Sequence, residues 1–226
     1  MIYITGDVHI PTEDIQKLGS KRFPEQKHLN ENDYVIICGD FGGVWNGSRE
    51  EKYWVKWLNN KNFTTLFIDG NHENFDMLNK YDEVLFHSGR AHKISDKIYH
   101  LMRGEVFEFD GKRIFTLGGA SSHDKEYRKE GETWWSDEIP SSAELKAARE
   151  KLVLYENRVD MIITHCAPSS LQKLVAPRYD TNILTEFLED LKTQISYKKW
   201  YFGHYHIDKE IDERHIAIFN EIVKVS

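Results

Sequence analysis

The sequence is poor in cysteine: Cys38 and Cys166 are the only two among 226 residues. Two thiols in a chain this long exclude a disulfide framework, and a reducing, cytoplasmic setting is expected. Proline is scarce as well, at five. No Pro/Gly/Ser-rich linker, repeat or low-complexity tract divides the chain, so it reads as one domain over 1–226. No apolar run approaches the roughly 20 residues of a membrane span. No charged-then-apolar leader precedes the first strand pattern. Positive charge is in deficit: 30 Lys and Arg against 37 Asp and Glu leave a formal charge of -7. That argues against broad, non-specific nucleic-acid binding, which needs a basic face, while a small nucleotide substrate stays open. The length is enough for one sizeable core or two packed sheets.

What is present is a succession of short apolar runs with helical patterns between them. Tyr3-Ile4-Thr5 reads as a buried strand, residues 11–31 as a short helix and a loop, and Asp33 to Cys38 as a second strand. Ser48 with Glu51 three residues on is a capping-box signal for a helix that carries Trp54, Trp57 and Leu58 and stops near Asn59-Asn60. Thr64 to Ile68 is the third strand, which makes a βαβ unit. In the middle, Val106–Phe109 and Arg113–Thr116 flank Asp110-Gly111, a two-residue hairpin signal, so antiparallel strands join the parallel ones. Ser141 with Glu144 opens another helix, Val159 to Thr164 is a strand, 182–194 a helix, and Trp200 to Phe202 a strand. The stretch from Ile207 to Val225 alternates and predicts two or three antiparallel strands.

The strands end alike. Asp7 and His9, Asp40, Asn71 and His72, His165, and His204 and His206 each follow a strand end. In open α/β sheets, sites form at the carboxyl ends of the strands. Residues two apart in extended chain face one way, so Asp7 and His9 can address one ion. Glycine precedes the polar residues in four of the five places (Gly6, Gly39, Gly70, Gly203), which allows a sharp turn beside a ligand. Imidazole with carboxylate and amide oxygen suits manganese, iron, zinc or nickel better than an all-oxygen cage for magnesium or calcium. Eight candidate groups exceed the needs of one ion, and two ions sharing a carboxylate fit better.

Asp7-x-His9, Gly39-Asp40, Gly70-Asn71-His72-Glu73, His165 and Gly203-His204-x-His206 together resemble the motif set of the calcineurin-like metallophosphoesterase superfamily, in family order and over almost the whole chain. The resemblance implies a four-layer α/β/β/α sandwich of two mixed sheets. It implies that Asp7, His9 and His206 bind a first divalent ion, that Asn71, His165 and His204 bind a second, and that Asp40 bridges both. Manganese is the first expectation for the metals. It further implies a metal-bridging hydroxide as the nucleophile. His72 would touch the phosphate and protonate the leaving oxygen, with Glu73 or Asp69 placed to orient it. Two features depart from the relatives that dephosphorylate proteins. The Asp-Arg-Gly expected after the second aspartate is replaced by Gly39-Asp40-Phe41-Gly42-Gly43, and the Gly-His-x-His ending is commoner in the phosphodiesterase and broad-specificity branches. In addition, His165 is followed by Cys166-Ala167-Pro168, where relatives often carry a proline-rich turn.

The remaining informative stretch runs from Gly118 to Trp135 and carries cations and paired tryptophans. It reads as a substrate lip. Lys125 and Arg128, three residues apart, are expected to face one way toward phosphate, and Trp135 to cover the leaving group. Cys38 and Cys166 read as inert buried thiols, and His28, His87, His92, His100 and His215 as histidines without a catalytic part. The reading is therefore a metal-dependent phosphoesterase on a small phosphate ester, a phosphodiesterase first. The alternatives are a phosphomonoesterase, including a protein phosphatase, and a catalytically silent metal-binding scaffold. The oligomeric state is left open.

Overall fold

The structure, a computed structural model, describes residues 1–225. Two mixed sheets lie face to face. The first has seven strands in the spatial order β13 (Ile222–Lys224), β1 (Ile2–Thr5), β2 (Tyr34–Ile37), β3 (Thr64–Phe67), β6 (Ile98–Leu101), β5 (Gly89–Ser95) and β4 (Glu83–Phe86). The second has six, in the order β11 (Lys209–Glu210), β12 (His215–Ala217), β10 (Lys199–Phe202), β9 (Met161–Thr164), β8 (Lys112–Leu117) and β7 (Glu105–Phe109). β1, β2, β3 and β6 run parallel to one another. So do β8, β9, β10 and β12. The carboxyl ends of the site-bearing strands therefore meet at one edge of the sandwich.

Strand alternation divides the core into three apolar layers. Tyr34 and Ile36 of β2 face the second sheet together with Leu66, Phe107, Ile114 and Ile163. Val35 and Ile37, one residue out of phase, face the outer layer with Leu58, Phe63 and Phe67. That layer is closed by α1 (Arg49–Asn59), whose cap Ser48 accepts from the Glu51 amide. On the far side of the second sheet, Phe115, Ile162 and Trp200 pack under α3 (Ser142–Leu154) and α5 (Ile183–Gln194) through Leu145, Leu152, Leu184 and Leu188. Helix, sheet, sheet, helix is the four-layer α/β/β/α arrangement. The capping box of Ser141 and Glu144 is present as expected. Among the described residues two short helices complete the list: α2 (Phe75–Leu78) and α4 (Ser169–Val175). Among the described residues no helix is long and apolar enough to cross a membrane.

Two local expectations are corrected. Residues 11–31 hold no α-helix but two 3-10 segments, Glu13–Leu18 and Pro24–His28, the second opened by its proline. The C-terminal strands do not form one antiparallel group. β12 pairs parallel with β10, while β13 crosses to the other sheet and pairs antiparallel with β1. That crossing carries residues 218–222 past the end of β1, beside Asp7 and His206.

Candidate metal centre

Asp7, Asp40, Asn71, His165 and His204 leave their strand ends within one cluster, with His9, His72 and His206 around it. Three overlapping sets of donor atoms each lie within 4.8 Å of one another: Asp7, His9 and His206; His9, Asp40 and His72; Asp40, His165 and His204. Asp40 is 1% exposed and its two oxygens are divided between the sets. Oδ2 lies 3.2 Å from His9 Nε2, and Oδ1 lies 3.2 Å from His165 Nε2. Asn71 Oδ1 stands 3.3 Å from His165 Nε2, and Asp7 Oδ2 3.2 Å from His206 Nε2. The backbone is bent to make this possible. His9, Asp40, His204 and His206 all have positive φ, at 38°, 48°, 68° and 51°, a conformation that costs non-glycine residues of order 1 kcal/mol or more. Proximity requires glycine at all four strand ends that carry one, and at two of them the clash would be with a carboxylate of the cluster. A Cβ on Gly70 would sit 2.0 Å from Asp40 Oδ1, and one on Gly203 would sit 2.2 Å from Asp7 Oδ1.

Electrostatics describe what the donors lack. Burial opposes ionisation of Asp40, yet the charge and hydrogen bond of His165 and the hydrogen bond of His9 hold its carboxyl well below the usual range. In return, burial pulls His9 down but Asp40 and Asp7 lift it to about 9. His165, lifted in the same way by Asp40 and Asp7, reaches about 10. His204, buried and beside the charged His165, is pushed down to about 3. Two imidazolium charges thus stand where the carboxylates need cations. Imidazole nitrogen, carboxylate and amide oxygen form a donor set that a borderline divalent metal fits.

Other groups orient the donors. His9 Nδ1 lies 2.9 Å from Asp14 Oδ2, and His165 Nδ1 lies 2.6 Å from the Cys38 carbonyl, so in each ring one nitrogen is tied and the other is aimed inward. The His204 amide donates to both oxygens of Asp7. The His72 amide donates to Asp40 Oδ1 at 2.8 Å. Neither Glu73 nor Asp69 orients the His72 ring, contrary to expectation. Glu73 is fully buried and accepts from the amides of Phe41 and Gly42; burial and the neighbouring Asp40 raise it to about 8. Asp69 is taken by His100 Nε2 and by Arg103. The group at His72 is Arg128, whose Nη1 donates to His72 Nδ1 at 3.3 Å. Burial, and then Arg128 against the pull of Asp40, lower the His72 pKa. The two thiols are buried, and burial raises both, Cys166 to about 12.

The lip divides into three fates. Arg128 turns into the cluster and is braced by Asp124 at 2.8 Å. Lys125 does not share that direction, because Lys125–Tyr127 forms a 3-10 turn and Arg128 follows it in extended backbone. Lys125 instead lines a cavity of about 430 Å³ beside His204, together with His123, Gln172, Arg178 and Tyr179. Trp135 is the correction. It is 5% exposed, its Nε1 donates to Asp76 Oδ2 at 2.9 Å, and its ring packs edge-on against Trp45 at 5.2 Å. A buried indole bonded in this way has no face to offer a leaving group. Sequence reasoning missed Asp14, Lys17, Tyr179 and Phe219 around the site. Of these only Tyr179 sits near a recognisable signal, the loop before the 182–194 helix.

A family model described as calcineurin-like phosphoesterase matches residues 1–208. The chain belongs to the calcineurin-like phosphoesterase family. Among solved structures, one similar chain is a Staphylococcus aureus protein assigned as a 5'-nucleotidase, in complex with alpha-ketoglutarate. Identity is 16%, the TM-score 0.47, and the match covers 96% of this chain and 48% of the other, so this chain spans about half that protein's length. No curated protein sequence matches.

Proposed function

We propose that this family member hydrolyses small phosphate esters with two divalent ions, manganese being the first choice, and that it prefers diesters such as a nucleotide diester. The observation that carries the two-ion reading is the division of the Asp40 oxygens, one toward His9 and the other toward His165. Asp7, His9 and His206 would hold one ion, Asn71, His165 and His204 the other, and Asp40 both. When bound, such ions lower the pKa of water toward neutrality and neutralise phosphate charge. The rest falls to the chain. Because Arg128 donates to His72 Nδ1, the ring is neutral with its proton on Nε2, and it serves as a hydrogen-bond donor to the leaving oxygen. Arg128 fixes that tautomer and presents part of its charge to the phosphate; Asp124 takes the remainder. A guanidinium shared in this way suits the single charge of a diester better than the dianion of a monoester. The cavity beside His204 has room for the ester group that stays on the phosphate.

Comparison of bis(p-nitrophenyl) phosphate with p-nitrophenyl phosphate, in the presence of manganese, tests the proposal. Higher kcat/KM on the diester is expected. Higher kcat/KM on the monoester would overturn the diester preference, and no hydrolysis of either with any of manganese, iron, zinc or nickel would leave the scaffold reading.

A further inference from the structure

His206 differs from His9 and His165 in how it is held. Its side chain is half exposed, and no hydrogen bond fixes its outer ring nitrogen among the described residues. A metal-bound histidine is normally oriented by such a bond, to a carboxylate or a carbonyl. Besides Asp7 at its Nε2 and the edge of the His9 ring 4.9 Å away, the His206 ring rests in a parallel stack on Phe219, with centroids 4.5 Å apart and planes 12° from one another.

Phe219 is in turn fastened from both sides. Its amide donates to Asp208 Oδ1 at 2.7 Å, and Asp208 also takes the amides of Asn220 and Glu221. Its carbonyl accepts from Lys17 Nζ at 2.5 Å, and the same ammonium lies 4.5 Å from the centre of its ring. Lys17 Nζ makes one further bond, to the Asp7 carbonyl at 2.6 Å. Lysine is seldom fully buried, and an interior ammonium without partners is costly; this one is 1% exposed, and both of its hydrogen-bond acceptors are backbone carbonyls. One cation thus ties the backbone of one metal-binding residue, Asp7, to the residue on which another, His206, rests. The chain just after β1 runs hard against this segment, since a Cβ on Gly6 would lie 2.2 Å from the Ile218 carbonyl.

We infer that Lys17 and Phe219 are positioning residues for the ion held by Asp7, His9 and His206, with the C-terminal crossing segment serving as one wall of that site and having no part in the other. The inference rests on the two-ion reading above. Phe219 replaces, by stacking, the hydrogen bond that the outer nitrogen of His206 lacks. Lys17 keeps the stack and Asp7 in register.

The test titrates manganese into the metal-free full-length chain, by calorimetry and by the manganese electron paramagnetic resonance signal. The variants are Phe219→Leu, which keeps an apolar side chain without a flat face, Phe219→Tyr, which keeps the face, and Lys17→Met. In Phe219→Leu and Lys17→Met, one equivalent should bind with unchanged affinity and the other about 10–100-fold more weakly, the usual cost of losing a group that orients a ligand. Phe219→Tyr should restore both. Should Lys17→Met not fold, the two Phe219 variants decide alone. Equal weakening of both equivalents, no weakening in Phe219→Leu, or failure of Phe219→Tyr to restore binding would overturn the inference. A wild-type chain that binds no second equivalent would instead overturn the two-ion reading itself.

Discussion

Metal affinity should depend steeply on pH, because two protons stand in for the cations. Burial is outweighed by Asp40 and Asp7, so His9 titrates at about 9 and His165 at about 10 in the metal-free chain, and the two fall in different donor sets, which the proposed function assigns to different ions. A histidine must be neutral to ligate, so each ion displaces one proton. Below its pKa, each site should gain about tenfold in apparent affinity per pH unit, or about 1.4 kcal/mol. Between about pH 6.5 and about pH 8.5, the dissociation constant should fall roughly 75-fold for the ion on His9 and roughly 100-fold for the ion on His165, as the protonated fractions shrink. Calorimetry in buffers of different ionisation enthalpy reads both the affinity and the protons released, which should approach two per chain near neutral pH. Affinities that stay flat across this window, with no proton release, would refute the assignment of imidazolium charge to the site.

The same protons stabilise the metal-free fold with the opposite sign. Both histidines lie above their ordinary value of 6.5. Their contribution is fully present below that value and is lost as pH rises through about 9 and about 10, so the metal-free melting temperature should fall over that window, while a metal-loaded sample should be far less sensitive. His72→Ala should retain both ions and lower kcat by roughly 10²–10³-fold, the usual cost of losing a hydrogen-bond donor to a developing oxyanion, with a smaller loss on esters that have acidic leaving groups; metal loss in this variant would make His72 a ligand. Trp135→Ala should cost about 3–5 kcal/mol in urea unfolding, as for other large buried aromatics, with KM unchanged on every ester; a nucleotide-specific rise in KM at full stability would return Trp135 to the substrate.

The motif residues were legible because they sit at strand ends, and strand ends are set by local pattern. Asp40 follows an apolar run and a glycine, and the fold can place it only at the edge where the other strands stop. The lip was not legible, because the fate of Trp135 depends on Trp45 and Asp76, far away in sequence. Lys17 was hidden for a similar reason. The segment Glu13–Leu18 reads as polar surface, and the ammonium of Lys17 is held inside by carbonyls of Asp7 and of the distant Phe219. The last strands alternate as strands should, but alternation names no partner, so the split of β12 and β13 between two sheets could not be read.

The central claim is that catalysis needs both ions, with Asp40 between them. The most direct measurement titrates the metal-free chain with manganese while bound metal and hydrolysis of bis(p-nitrophenyl) phosphate are followed together. Activity should stay near zero through the first equivalent and rise with the second, and Asp40→Ala should abolish the rise by weakening both sites. Full activity at a single bound equivalent would contradict the account.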